Sequence, residues 1–323
     1  MHTHRLVASA VLAASALLAA APGFAAAFPD KPIRIVVPSS PGGSADAIAR
    51  IVGERLGAAL GQPVVIDNKG GGGGNIATMA VAKAAPDGYT ILLTGNNHTL
   101  NLSLFANPPY RLDDFTPIIE LTRGPSVFVA AANAPFRSID ELVAKAKAAP
   151  GTVAYGSPGV GLPSHVAMEM FVRGAHIRLN HAPYKGSGPS LTDVMGGQIP
   201  LVTSTLAAAM PHFKGGRMIP LAVTSPQRWP SLPEVPTVAE SGLPGYAHMT
   251  WLGLLAPKGT PDQVVALLNR ETAKVLADPR LRARLEALGT TAVGNSPQAF
   301  QKMLADEYLT SKTLVQSAGL RAQ

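Results

Sequence analysis

There is no cysteine anywhere in the 323 residues. Its absence excludes disulfides, a lipid-modified N-terminal cysteine, thiolate metal ligands and a thiol nucleophile. Aromatic residues make up only 5% of the chain, and the formal charge of +7 is scattered among acidic residues rather than gathered in a block. With no basic stripe and few rings to stack on bases, nucleic acid is not an expected partner. The basic balance favours an anionic ligand or surface instead. Beyond the first turn-rich leader no run reaches the roughly 18 consecutive apolar positions that a membrane-spanning helix needs. Catalytic signatures are missing as well. None of the eight histidines stands in an H-E-x-x-H spacing, and no serine stands in G-x-S-x-G. The glycine run from Gly70 to Gly74 lacks the last glycine of G-x-G-x-x-G, because Asn75 takes that place, and no P-loop Lys-Ser/Thr pair follows. It reads as a flexible turn. No cofactor and no metal are expected, and His165, His181 and His248 read as core or hydrogen-bonding residues.

What is present starts with a leader. His2, His4 and Arg5 precede an apolar run over residues 6–21, then Pro22-Gly23 and the small triplet Ala25-Ala26-Ala27. This is a secretory signal peptide pattern with cleavage after Ala27. An export signal without a lipid anchor points to a soluble protein of a bacterial periplasm.

The most informative segment is IRIVVPSSPGGSAD over residues 33–46, where a short apolar strand runs through a Pro/Gly/Ser turn into a helix. The helix follows from Ile48, Ile51, Val52, Leu56, Ala59 and Leu60, which recur at spacings of three and four. The first four N–H groups of a helix have no intrahelical acceptor, and the aligned peptide dipoles add about half a positive charge there. The junction therefore reads either as a carboxylate or phosphate site or as an ordinary βα connection. Gly42 and Gly43 allow close approach to the backbone, and Asp46 falls in the first helical turn.

Strand and helix signals alternate through the rest, which predicts an α/β architecture with largely parallel sheets. Strands are expected near residues 64–66, 90–94, 127–131, 153–155, 177–179, 199–203 and 219–223. Helices are expected near 76–85 and 166–173, after the Ser138/Glu141 capping box, and up to Met195. Three C-terminal helices start at Thr260-Pro261, Asp278-Pro279 and Ser296-Pro297, the last ending near Gly319. The Pro-rich stretch over 226–244 reads as an extended crossing between domains, and Trp251 with residues 252–255 as a buried strand. Two α/β domains with a cleft between them are the expected architecture.

The loop over 156–164 repeats the opening strand-loop-helix arrangement. Both loops fall at the carboxyl ends of predicted strands, where open α/β sheets place ligands. The neutral donors Ser39, Ser40, Ser44, Asn96, Asn97, Ser157, Ser164, Ser187, Thr203 and Ser204 suit a carboxylate that must be held and released. Taken singly, each also reads as a turn residue bonding its own backbone. Asp193 reads either as a contact for a ligand amine or loop, or as a solvated or capping carboxylate.

Longer motifs give the chain a family likeness. FPDKPIRIVVPSSPGGSADAIAR (28–50), PDGYTILL (86–93), AYGSPGVGLPSHVAMEMF (154–171), APYKGSGPSLTDVMGGQI (182–199), LAVTSPQRWPSLPEVPTVAESG (221–242) and WLGLLAPKGTP (251–261) resemble, in order, the extracytoplasmic solute receptors of tripartite tricarboxylate transporters, the Bug family. The resemblance implies a two-domain periplasmic binding protein, a Venus flytrap with its ligand cleft between domains. It would be a monomer that performs no chemistry and delivers a small organic carboxylate to a permease of large and small membrane subunits. The implied layout is a signal peptide over 1–27, one domain over 28–125 plus 248–323, and a second over 126–247. It implies ligand contacts from Ser39, Ser40, Pro41, Gly42, Gly43, Ser44 and Asp46, from Ser157, Gly159, Val160, Gly161, Ser164 and His165, and from a facing wall with Tyr184, Gly186, Ser187 and Asp193. The sequence departs from the family where Ser39 replaces a usual aromatic, where DNKGGGGG (67–74) replaces ENRPGAGG, at Pro200 in place of an acidic residue, and near Ser311 and Lys312, where a common Trp is missing. Two alternatives remain at this level: a receptor acting with a sensor kinase, and a secreted α/β hydrolase or isomerase, which a serine aligned with a perturbed histidine or aspartate would favour.

Overall fold

The structure, a computed structural model, describes residues 28–39 and 41–318, so the expected signal peptide and Ser40 lie outside the described residues. The chain divides into a unit ending at Asp30 and a second from Lys31 onward, which contains all the helices and strands described.

The apolar run of residues 33–37 forms β1 (Ile33–Val37), paired in parallel with β2 (Val64–Asn68) and β3 (Thr90–Gly95). Between β1 and β2 runs α1 (Ser44–Leu60), which buries Ile48, Ile51, Val52 and Leu56, as the spacing predicts. It stops at Gly61, whose φ of 69° is a left-handed conformation that glycine adopts without a Cβ penalty. The helix α2 (Asn75–Ala82) follows the glycine run, and α3 (Asn97–Leu104) follows β3.

The strand expected at 127–131 is longer: β4 spans Phe115–Ala131. Pro117, Gly124 and Pro125 hide it in the sequence, because proline cannot donate to a ladder and glycine weakens a strand. The structure accommodates the irregularity with register shifts between Pro117 and Ile119 and between Glu120 and Thr122. From Phe115 to Pro125 this strand pairs antiparallel with β9 (Met249–Pro257), which in turn pairs antiparallel with β3. From Ser126 onward β4 pairs instead with β7 (Leu201–Thr205) and β8 (Met218–Val223), again antiparallel. The strands β5 (Ala154–Ser157) and β6 (Asn180–Pro183) complete the second sheet in parallel with β7. The expected largely parallel sheets are thus mixed, because the long strand β4 runs antiparallel through both sheets and β9 joins the first sheet antiparallel to β3 and β4.

Helices α4 (Ile139–Ala148), α5 (Pro163–Gly174), α6 (Ser187–Met195) and the single turn α7 (Leu206–Ala209) belong to the second half, with a core around Phe128, Phe136, Tyr155 and Phe171. The first half is completed by α8 (Asp262–Ala277), α9 (Pro279–Ala287), the short β10 (Thr291–Ala292) on β4, and α10 (Pro297–Ala318). Its core contains Val36, Leu92, Trp251, Leu255 and Phe300. Three further expectations are corrected. The strand near 177–179 lies at 180–183 instead, because Ile177 N–H still closes the end of α5 onto Val172 O and His176 turns at φ 53°. The strand near 90–94 is followed at once by the helix α3, which was not expected. The Pro-rich stretch does not cross between halves, since Trp229, Val235, Val238 and Tyr246 pack into the second-half core.

Candidate functional site

Three helices begin on the wall of one cavity of about 120 Å³: α1 through Ser44, α3 through Asn96 and Asn97, and α5 through Pro163. The first two belong to the first half and the third to the second. Thr205 and Ala207 of the β7–α7 turn also line it, while Thr122, Gly124 and Pro125 of β4 and Thr250, Trp251 and Leu252 of β9 line it where those strands pass between the halves. Gly289 and Thr290 complete the lining, and among the described residues no lysine, arginine, aspartate or glutamate is part of it. In α1 the first backbone bond back is Ala47 N–H to Gly43 O, and in α5 it is Val166 N–H to Leu162 O. The N–H groups of Ser44 and Ala45, and of Ser164 and His165, therefore have no acceptor within their own helices. Several positive dipole ends face one small space that holds no charged side chain, which is a setting for an anion.

The first loop is held by an ion pair between a buried Asp46 and an exposed Arg50. Asp46 is only 4% exposed, and its Oδ2 accepts from Gly42 N–H at 2.9 Å and from Arg50 Nε at 3.1 Å. Arg50 Nη2 reaches Asp46 Oδ1 at 3.0 Å and Asn68 Oδ1 at 3.3 Å, and Asn68 Nδ2 donates to Ser39 O at 3.2 Å. Burial raises the Asp46 pKa, but the hydrogen bonds from Arg50, Gly42 and Asn68 and the Arg50 charge outweigh it, leaving it below the usual carboxylate value. The Gly42 amide is therefore taken by the protein itself. Ser39 Oγ is buried without a partner, while Pro41 and Gly42 are exposed and Gly43 is the extended N-cap of α1.

The second loop rests on a stack of rings. His165 and His181 lie 4.2 Å apart, and His181 lies 4.8 Å from Tyr155, whose hydroxyl donates to Glu169 at 2.6 Å. His165 Nδ1 accepts from Gly161 N–H at 3.1 Å, and burial, with the neighbouring His181, pushes its pKa down to about 4. It is thus a neutral acceptor that fixes the loop. Ser157 Oγ lies 2.7 Å from His181 Nε2 and accepts from Gly159 N–H at 3.2 Å. A serine beside a histidine is the feature an enzyme would need, yet Ser157 is fully buried and neither residue lines the cavity. Ser164 Oγ accepts from Ser126 Oγ at 3.2 Å, and Thr203 Oγ1 donates to Ser164 O at 2.8 Å. Ser204 Oγ is buried and unpartnered, and Val160 is exposed. Tyr184 donates to Asp193 Oδ2 at 2.8 Å, with Gly186 N–H on Pro158 O and Ser187 O accepting from Ser190 Oγ. Burial and Asp193 push the Tyr184 pKa up to about 12, so the pair braces the second loop as a neutral phenol on a carboxylate.

Of the donors and ligand contacts singled out from the sequence, Ser44, Asn96 and Asn97 line the cavity; Thr203 and Ser204 stand on β7, Ser40 lies outside the described residues, and the others belong to the two loops or the segment behind the second. Sequence reasoning missed Thr122, Thr205, Thr250, Trp251 and Thr290 as lining residues. The only available signal was Trp251, a lone indole in an otherwise aliphatic strand. The halves also touch directly. Leu100 and Leu104 of α3 and Val315 of α10 form an apolar cluster with Val166 of α5, and a Cβ built on Gly161 would lie 2.7 Å from Leu104 Cδ1. A second cavity of about 370 Å³ is lined by His98, Leu112, Phe115, Leu255 and Leu304, with Lys258 and Asp113 3.9 Å apart at its rim. It is larger, but neither Gly/Ser loop and no residue of the second half reaches it.

Comparison with known proteins gives the chain its relatives. The TctC profile, described as Tripartite tricarboxylate transporter family receptor, matches residues 48–320. Protein BugT of Bordetella pertussis is 37% identical over 305 residues, covering 94% of each chain. Among solved structures, an R. palustris protein with adipate superimposes with a TM-score of 0.86 at 34% identity, covering 91% of this chain and 99% of the other. MatC from Rhodopseudomonas palustris with bound malate gives 0.81 at 30% identity, covering 89% and 100%. No described helix is long and apolar enough to cross a membrane.

Proposed function

This chain belongs to the tripartite tricarboxylate transporter receptor family, and from that premise we propose that it is a periplasmic receptor that captures a small organic carboxylate between two lobes and delivers it to a permease of large and small membrane subunits. The lobes are residues 28–125 with 248–323 and residues 126–247, and the receptor works as a monomer. The change of partner strands along β4, at Pro125 and Ser126, supports that division. The observation that carries the reading is the meeting of three helix N-termini from both halves on one cavity without a charged side chain. Neutral donors hold an anion without the deep trap that a buried guanidinium would make, which suits capture followed by release.

The ligand carboxylate is read at the free N–H groups of Ser44, Ala45, Ser164 and His165. The Thr122 hydroxyl, which has no hydrogen bond within the described residues, is a further donor, and so is that of Thr205, whose Oγ1 only accepts from Ala208 N–H; Thr250 and Thr290 donate theirs to backbone carbonyls. The loops with Ser39, Gly42, Gly43, Asp46, Ser157, Gly159 and Gly161 hold those groups in place, and Tyr184 with Asp193 props the second. A space of 120 Å³ holds roughly four water volumes, which fits a carboxylate of a few carbons. Adipate and malate in the related structures are of that class.

Calorimetry tests the reading. Protein freed of copurified ligand by unfolding and refolding is titrated with a panel of mono-, di- and tricarboxylates. Saturable binding of one class is expected, and its absence from the whole panel with a correctly refolded sample contradicts the proposal.

A further inference from the structure

One carboxyl group stands, partly buried, directly behind the cavity wall. Glu307, on α10, accepts through Oε1 from Asn96 Nδ2 at 2.5 Å and from Trp251 Nε1 at 2.9 Å, while Oε2 lies 2.8 Å from Trp251 Nε1 and 2.7 Å from Thr99 Oγ1. Asn96 and Trp251 both line the cavity. The Asn96 amide is fully committed: its second N–H donates to Met249 O at 3.1 Å, and its Oδ1 accepts from Trp251 N–H at 3.1 Å. Its side chain therefore positions the β3–α3 turn against β9, and Glu307 fixes which way that amide faces.

The same network carries a proton. Thr99 has one hydroxyl hydrogen and two acceptors within reach, Asn96 O at 2.9 Å and Glu307 Oε2 at 2.7 Å. If Thr99 donates to Asn96 O, the short contact to Glu307 is bridged by a proton on Oε2. If Thr99 turns to Glu307, the carboxyl is ionised, and Asn96 O keeps the Leu100 N–H at 3.0 Å. Either state fits the same heavy atoms by rotating one hydroxyl.

The surroundings supply no direct counter-ion. From β4 the nearest cation is Arg123, clamped by both Glu120 oxygens at 2.8 and 2.9 Å, and no ion pair to Glu307 occurs among the described residues. From α3 come Asn96, Thr99 and His98, whose imidazole burial holds neutral, and from β9 only Trp251. On α10, Asp306 is paired with Lys302 at 2.6 Å. Burial pushes the Glu307 pKa up, against the hydrogen bonds from Thr99, Trp251 and Asn96 and the charge of Arg123.

We infer that Glu307 is the positioning residue of the cleft and its proton store: it sets Asn96 and Trp251 against the cavity, and an anion captured there is matched by a proton taken up on Glu307. The inference rests on carboxylate capture at this cavity. A negative charge arriving one side-chain layer away disfavours the ionised form, so the proton moves from buffer to Oε2 while the ligand stays a carboxylate. Affinity then weakens as pH rises above the unliganded Glu307 pKa, by about tenfold per pH unit for one linked proton.

Titration calorimetry with malate and adipate in two buffers of different ionisation enthalpy counts the protons. Wild type takes up a substantial fraction of one proton per ligand, and Glu307→Gln, which mimics the protonated form with an amide donor to Thr99, takes up none and binds with a pH-independent affinity. Proton uptake surviving in Glu307→Gln, or binding by wild type without uptake, overturns the inference. If neither ligand binds, carboxylate capture of these probes has failed, and Glu307 is read directly. In a Trp229→Phe background, where Trp251 is the sole tryptophan, its fluorescence shows a pH transition above the ordinary carboxylate range that Glu307→Gln removes. A flat profile overturns the assignment.

Discussion

Asp46 is the residue on which the first loop depends, because one carboxylate satisfies Gly42 and Arg50 together and links them to Asn68 and Ser39. Asp46→Asn removes a buried charge-assisted network, and a loss of about 1–3 kcal/mol in denaturant unfolding at pH 7 is expected. The folded pKa is depressed, so this stability is present above the unfolded value of 3.8 and is lost as pH falls through the folded one. The gap between wild type and Asp46→Asn should therefore narrow as pH falls below 3.8, and a gap that does not narrow contradicts the assignment. Gly42 is a different case. Its φ is 87° and a Cβ there would meet nothing within 4 Å, so Gly42→Val costs backbone strain rather than a clash. About 1–2 kcal/mol of stability and at least tenfold in carboxylate affinity are the expected losses. Unchanged affinity would remove this turn from the site. The sequence shows both loops at this scale, because Gly, Ser and Pro announce turns. It hides that Gly42 N–H, Ser157 Oγ and Thr203 Oγ1 are spent inside the protein, since their partners are set by tertiary packing.

At the scale of elements, α1, α5 and the three C-terminal helices are legible because each has an apolar face, a glycine stop or a proline start. The helix α3 is not. Its sequence, NHTLNLSL, is rich in weak helix formers, and long-range bonds hold it, with Asn97 and Asn101 both donating to Gly73 O at 3.0 and 2.9 Å. The strand β4 is obscured by its own prolines, so the passage between the halves, and the cavity floor with it, was missed. The contact between α3 and the start of α5 yields a prediction about closure. Gly161 has φ 75°, and its Cβ would strike Leu104, so Gly161→Ala should prop the halves apart and raise the radius of gyration in X-ray scattering of the liganded protein. Adding Leu104→Ala should restore part of the compaction by making room. If the single variant scatters like wild type, the Leu104–Gly161 contact does not limit closure.

For the whole molecule, the two halves are built alike: parallel strands ending in Gly/Ser loops and helix starts, with β4 shared by the two sheets. That plan places unpaired N–H groups from distant parts of the chain around one space, which no local pattern in the sequence specifies. The family likeness supplied the cleft and the two-domain fold. The structure adds that, among the described residues, the cavity wall is made of neutral polar and apolar residues, four of them threonines, rather than of charged side chains. It also separates this cavity from the larger one beside His98, whose rim carries Lys258 and so offers a rival place for an anion. A crystal structure grown with malate decides between them most directly. The account predicts a carboxylate within hydrogen-bond distance of the Ser44 and Ser164 backbone N–H groups. A carboxylate lodged instead beside Lys258, with the helix starts empty, would contradict it.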